Sequence, residues 1–324
     1  MWSVVGRGFS RDIKLVSTWA LATEAYRSNQ DQPRRDDTFL TDQTIAAPKP
    51  GLKRRWLFFI LAMTFLFVLM PFLFWQATWF GKPLNDGQLQ KSLVDREHPR
   101  EIQHALSQVA DRMLARDAST RDSSRQFYPQ VVQIAQNGQD ELRLTAAWVM
   151  GQDNSVPDFH QELLRLLQDP NPMVRRNAAL ALVRFGDASG LTEIRSMLQP
   201  SAVGGSEAGA LEERLKPGES INPGTLLGRI RSGNSTSELR SQIPGTIRQW
   251  LVPDKAAVTK GQPILLVDPS VSEIWESLRA LYLIGQLEDL PAIDEIARGP
   301  GDIPANVRQQ AELTATAIRS RQPH

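Results

Sequence analysis

Cysteine is absent from the 324 residues. Disulfides, thiolate metal sites, iron–sulfur clusters and cysteine nucleophiles are therefore excluded, while the compartment stays open. Histidine occurs only at 98, 104, 160 and 324, too sparsely for a His-rich metal centre. Neither sign of charge is in surplus: 37 Lys+Arg stand against 36 Asp+Glu, a formal net charge of +1. A nucleic-acid binder that neutralises phosphates needs excess cations, so nucleic acid is not an expected partner. No Gly-x-Ser-x-Gly, His-Glu-x-x-His, phosphate loop or calcium loop occurs. Gly6-Arg7-Gly8 is a lone glycine pair without a strand–turn–helix context. The expectation is no enzyme, with no catalytic, cofactor-binding or metal-binding residues and no small-molecule substrate. His98 and His104 read as solvated helix-face residues, and Trp148 and Trp250 as core rather than stacking platforms.

Apolar residues make up 41% of the chain and charged residues 23%, a globular balance. The most apolar run is Trp56 to Phe80, which carries no charge. As a helix it would extend about 38 Å, enough for a hydrocarbon core of about 30 Å. Trp56 stands at one end, Trp75 and Trp79 at the other, where amphipathic rings meet headgroups. Lys49, Lys53, Arg54 and Arg55 precede the run and only Lys82 follows closely. The pattern predicts a single-pass inner-membrane protein with a cytoplasmic N-terminus, periplasmic C-terminal domains and membrane lipid as a partner.

Residues 1–55 form a basic arm. Leu15, Trp19, Ala22 and Tyr26 recur there at helical spacing, which reads either as an amphipathic helix or as a weakly ordered tail. Residues 30–52, with three prolines and no apolar period, read as a linker, and 81–98 as a polar connector.

From 99 onward helical patterns dominate. Ile102, Leu106, Val109 and Met113 share one face, and 127–136 and 141–151 continue in the same manner. LRLTAAWVMG at 142–151, VRRNAALALV at 174–183 and VRQQAELTAT at 307–316 are copies of one pattern. Each starts with an aliphatic residue followed by Arg, and has Ala four positions after the aliphatic. The stretch from Leu163 to Leu198 resembles a HEAT repeat of the short bacterial type also seen in phycobilisome lyases. Asp169-Pro170-Asn171-Pro172 is then a turn between repeats and Gly186-Asp187 a turn within one. Residues 278–297 resemble a further helix–turn–helix. The resemblance implies a stacked helical surface for binding proteins.

The period changes after 200. Residues 200–210 read as a flexible Gly/Ala/Ser-rich lead-in. GESINPGTLLGRI at 218–230 then matches KAAVTKGQPILLV at 255–267, pairing Ile221 with Val258, Gly224 with Gly261, Leu227 with Ile264 and Ile230 with Val267. IPGTIRQWLVPD at 243–254 reads as a strand pair around a Pro-Gly turn. These segments resemble the biotinyl/lipoyl domain and the barrel-sandwich domain of periplasmic adaptor proteins. The carrier function of that family needs a lysine at the hairpin tip. Here the tip is Ser232 to Ser237, the acceptor position falls near Asn234, and no lysine lies between Lys216 and Lys255. The resemblance therefore implies an unmodified barrel and no cofactor. Asn234-Ser235-Thr236 is formally a glycosylation sequon, read here as a polar turn.

The resulting expectation is a multidomain chain: a basic arm (1–55), one transmembrane helix (56–80), a connector (81–98) and an α-solenoid of HEAT-like helices (99–200 and 273–321). A small all-β barrel-sandwich domain of lipoyl type (201–272) interrupts the solenoid. The expected function is a non-enzymatic, membrane-anchored scaffold or accessory subunit, its partners being other subunits of a membrane complex, respiratory or photosynthetic. The alternative is an adaptor in efflux or secretion, which the dozen residues between Ile230 and Ile243 disfavour, because adaptors place a long α-hairpin there.

Overall fold

The computed structural model describes residues 54–77, 83–213, 215–299 and 303–321. The basic arm, with its expected amphipathic helix and linker, lies outside them. The chain divides into two units, Met1–Pro83 and Leu84–His324.

The described part of the first unit is helix α1 (Arg54–Ala77), which has Pro71 inside it. Among the described residues, no helix is long and apolar enough to cross a membrane. That corrects the expected transmembrane helix at 56–80. It also corrects the single-pass inner-membrane placement with periplasmic domains, and membrane lipid as a partner. The fold class is corrected with it: the structure is a mixture of helices and antiparallel sheets, HEAT-like in part.

The second unit opens inside the expected connector. Asn85 and Gln88 form a reciprocal capping box that starts helix α2 (Asp86–Val94), and Leu89 and Leu93 are buried. Helix α3 (Pro99–Met113) buries Ile102, Leu106, Val109 and Met113, the face expected from their spacing. There follow α4 (Ala118–Ser124), α5 (Tyr128–Asn137), α6 (Asp140–Met150), α7 (Pro157–Leu166), α8 (Pro172–Arg184) and α9 (Leu191–Ser196). The repeated pattern has a packing reason. Leu142, Val174 and Val307 are buried in their three copies, as are Ala146, Ala178 and Ala311. Small residues let neighbouring backbones approach: a Cβ added at Gly190 would lie 2.7 Å from Ala179.

Among the described residues eight strands follow: β1 (Ser201–Gly204), β2 (Gly209–Glu213), β3 (Ser220–Ile221), β4 (Leu226–Ser232), β5 (Ser235–Arg240), β6 (Gly245–Trp250), β7 (Ala257–Val258) and β8 (Pro263–Asp268). They make two antiparallel four-stranded sheets, ordered β1-β8-β6-β3 and β5-β4-β2-β7. The matched copies occupy equivalent places. β4 pairs with β2 as β8 pairs with β6, and each copy lends its short strand to the other sheet. Ile221, Leu227 and Ile230 meet Val258, Ile264 and Val267 in one core.

Two local expectations are corrected. Residues 200–210 are not a loose lead-in: Ser201–Gly204 pair with 263–267 as β1. Backbone ladder bonds ask little of side chains, so Gly and Ala did not prevent pairing. Residues 243–254 give one strand, not two, because Pro-Gly leads into β6 instead of turning a hairpin. Gly245 is required there, since a Cβ would sit 2.2 Å from the Asp268 carbonyl oxygen.

Helices return as α10 (Val271–Ile284), α11 (Leu290–Arg298) and α12 (Ala305–Ser320). Leu278, Leu281, Ile293, Val307 and Ile318 share a core with Ala179, Val183 and Ile194, from helices that precede the sheets. Helix α8 touches all three cores: Val174 and Ala178 the first, Ala179 and Val183 the second, Met173 that of the sheets. A helix that gives buried residues to three cores is a central one, even with Arg175 and Arg176 in its first turns.

Candidate functional site

The site with the most structure around it is a cleft of about 640 Å³ where the N-terminal half of α8 faces the edges of both sheets. Asn171 caps α8 by accepting from the Met173 N–H, and Pro172 takes the first turn, where its missing N–H leaves nothing unsatisfied. The approach is pinned by Asp169, which accepts Arg143 Nε at 2.7 Å and Nη2 at 2.9 Å. Burial pushes the Asp169 carboxyl upward, but the Arg143 pair and the Asn171 N–H outweigh it and hold it below the ordinary value.

Two arginines project from this stretch. Arg175 donates through Nε to Glu193 at 2.6 Å and through Nη1 to the Asp169 carbonyl at 2.8 Å. Arg176 is paired through Nη1 with Glu273, at exposures of only 6% and 7%. Glu273 belongs to the capping box that Ser270 forms at the start of α10. Burial pushes its carboxyl above the ordinary value, against the pull of Arg176. Arg176 Nε is buried and has no acceptor among the described residues. A donor left in that state costs about 1–3 kcal/mol. Arg195–Asp289 at 2.5 Å and the Ser277 hydroxyl on the Ile194 carbonyl at 2.7 Å also join helices on either side of the sheets.

The opposite wall of the cleft is strand edge. β1 ends one sheet and β5 ends the other, and both line the cleft. The lining holds Arg175, Arg176 and Arg240 against Glu193 and Glu238. Sequence reasoning missed this site because its parts lie far apart in the chain and β1 was read as loop.

The residues singled out in the sequence fall elsewhere. Gly233, with φ 59°, and Asn234 connect β4 to β5, so Asn234 does stand at a hairpin tip. His98 precedes α3, its Nδ1 3.0 Å from Asp95 Oδ2, and that bond raises its pKa. Asp95, His98 and Glu101 bring one donor atom each within 4.8 Å of one another, a group that could hold a cation. The spacing Asp-x-x-His-x-x-Glu was readable in advance. His104, within α3, lies 2.9 Å from Gln108 Nε2, and burial lowers its pKa. Trp148 packs on the helical core with a buried, unmet Nε1, and Trp250 donates to the Leu215 carbonyl at 3.0 Å.

A second concavity of about 590 Å³ lies between α5 and α7. Tyr128 and Phe159 line it with ring centroids 4.7 Å apart and ring planes tilted by 42°, and Gln136, Gln161 and Arg165 rim it.

Both concavities involve the part of the chain with a recognisable class. Residues 128–205 match the family described as HEAT repeats, an architecture of stacked helix pairs that commonly suggests protein interaction. The match covers α5 to β1, less than the 99–200 and 273–321 expected. No curated protein matches the chain. Among solved structures it is similar to one described as "Structure and function of a single-chain, multi-domain long-chain acyl-coa carboxylase". The identity is 15% and the TM-score 0.21, over 36% of this chain and 15% of that one. A likeness of that size says nothing about activity.

Proposed function

We propose that the protein is a non-enzymatic scaffold or accessory subunit that holds partner proteins against its helical and sheet surfaces. The HEAT match over 128–205 carries the reading, because stacked helix pairs extend contact area without needing a new core. The groove between α5 and α7 supports it, with aromatic side chains behind a rim of amide and guanidinium groups. The paired sheets resemble the lipoyl type and have Asn234 where a carrier would need lysine. Their part in the scaffold is shape.

The test is cross-linking of the full-length chain in its host cell, followed by mapping of the linked peptides. A defined partner linked to residues within 128–205 supports the proposal. Links scattered evenly over the chain, or catalytic turnover by the purified chain, count against it.

A further inference from the structure

We propose that the paired sheets form a hinged arm, which swings as one body about its two crossings to the helices and so opens or closes the cleft, with Met173 of α8 as the latch. This goes beyond the scaffold reading and stands whether or not that reading holds.

Three observations converge. First, the helices before and after the sheets are one body. They share the core of Ala179, Val183, Ile194, Leu278 and Ile318, and the pairs Arg176–Glu273 and Arg195–Asp289 tie them together. The sheets are inserted into this body through two short crossings. Pro200 alone separates the bend after α9 from β1, and Pro269 and Ser270 separate β8 from α10. The crossings lie side by side, because Ser201 pairs with Val267. Hinges are made of a few such residues at element ends. Proline has no N–H, so neither Pro200 nor Pro269 can donate a ladder or helix bond from one body into the other.

Second, little holds the sheets to the helices. The described hydrogen bonds and ion pairs of 201–268 run within that span, as do those of Arg240 to Glu238, Arg248 to Asp268 and Trp250 to the Leu215 carbonyl. Among the described residues, no strand packs on a helix as neighbouring helices pack on each other. Met173 and, less buried, Leu144 are the apolar helix side chains that reach the core of the sheets. Two bodies whose interface is neither large nor apolar ordinarily move relative to one another.

Third, the two bodies are parted where they face each other. Packed interiors leave few voids larger than a water molecule, whereas about 640 Å³ lies open between α8 and α9 on one side and β1 and β5 on the other. The charges on its walls pair on their own side, Arg175 with Glu193 and Arg240 with Glu238. Among the described residues no ion pair spans the gap, so opening it breaks none. What opening does break is the burial of Met173, which makes that side chain the latch.

The absence of cysteine allows two spin labels to be placed at chosen positions of the full-length chain. Thr192 on α9 and Thr236 on β5 are exposed, on the elements that carry Glu193 and Glu238 of the two walls. Thr192 and the exposed Gln309 of α12 form the control pair within the helices. Double electron–electron resonance of each pair, both residues replaced by labelled cysteine, should give two distances across the cleft and one narrow distance in the control. Met173→Ser should move the balance toward the longer distance at least threefold, while Met173→Leu keeps the parent balance. Leu144→Ser should shift it the same way and serves if Met173→Ser does not fold. A single narrow distance across the cleft in the parent, or equal broadening of the control pair, overturns the hinge. A balance unmoved by either serine variant, with the control distance unchanged, overturns the latch.

Discussion

Arg176 and Glu273 are 97 positions apart and form the most buried ion pair that joins helices before and after the sheets. Removing one partner of a buried pair strands the other charge, at about 3–5 kcal/mol. Glu273→Leu also breaks the capping box at the start of α10, which adds about 1 kcal/mol. A domain is stable by about 5–15 kcal/mol, so either loss is a large fraction of the total. With a urea slope of about 2–3 kcal/mol/M, Arg176→Met or Glu273→Leu should lower the unfolding midpoint by about 1–2 M. The double variant replaces two charges by apolar groups and should recover much of that, as buried pairs exchanged whole for hydrophobic residues often do. The coupling read from the cycle should exceed about 2 kcal/mol. The assay is urea unfolding of all four proteins, followed by circular dichroism at neutral pH. Single variants within 1 kcal/mol of the parent, or a double variant as unstable as the sum of the singles, would refute the claim that this pair holds the two helical parts together.

Three further outcomes follow from particular residues. Asp169 titrates below its ordinary value when folded, so its contribution is complete above about pH 4 and is lost as pH falls through the folded pKa. Asp169→Asn should therefore lower the melting point at pH 6 and flatten its decline between pH 4 and 2, as followed by thermal melts. Tyr128 is pushed up to about 12 by burial, helped by its bond to Asp153 and opposed by Ser124. The absorbance difference at 295 nm between the parent and Tyr128→Phe should appear near pH 12 in the folded protein and near pH 10 in urea. Gly190→Ala would drive a methyl into both the Cα and the Cβ of Ala179, and should cost about 1–3 kcal/mol, seen as a melting point lower by several degrees.

Much of the fold was legible wherever it rests on short-range pattern. The Ile102–Met113 face, the aliphatic-Arg-x-x-Ala copies and the matched Ile221 and Val258 halves all became buried faces. These are periodicities of 3.6 and 2, and solvent exclusion enforces them. What failed rests on other physics. Hydropathy at 56–80 measures composition alone, and it suggested a span that the described helix does not support. β1 is held by backbone bonds that Ser201–Gly204 does not advertise. The cleft is assembled from 170–176, 193–206 and 238–243, and no local spacing encodes that meeting. No local spacing marks Arg176 as the partner of Glu273, which lies 97 positions away beyond the sheets.

The central claim is that the protein works by holding partners on its HEAT surface. Gln136 and Gln161 are exposed on the rim of the α5–α7 groove, so replacing both with lysine alters the surface and spares the core. The decisive measurement is the amount of partner that co-purifies with this double variant from its host, compared with the parent at equal expression and equal melting point. The account predicts at least a tenfold loss of the partner with the fold unchanged; full retention of the partner by a folded Gln136→Lys, Gln161→Lys chain would contradict it.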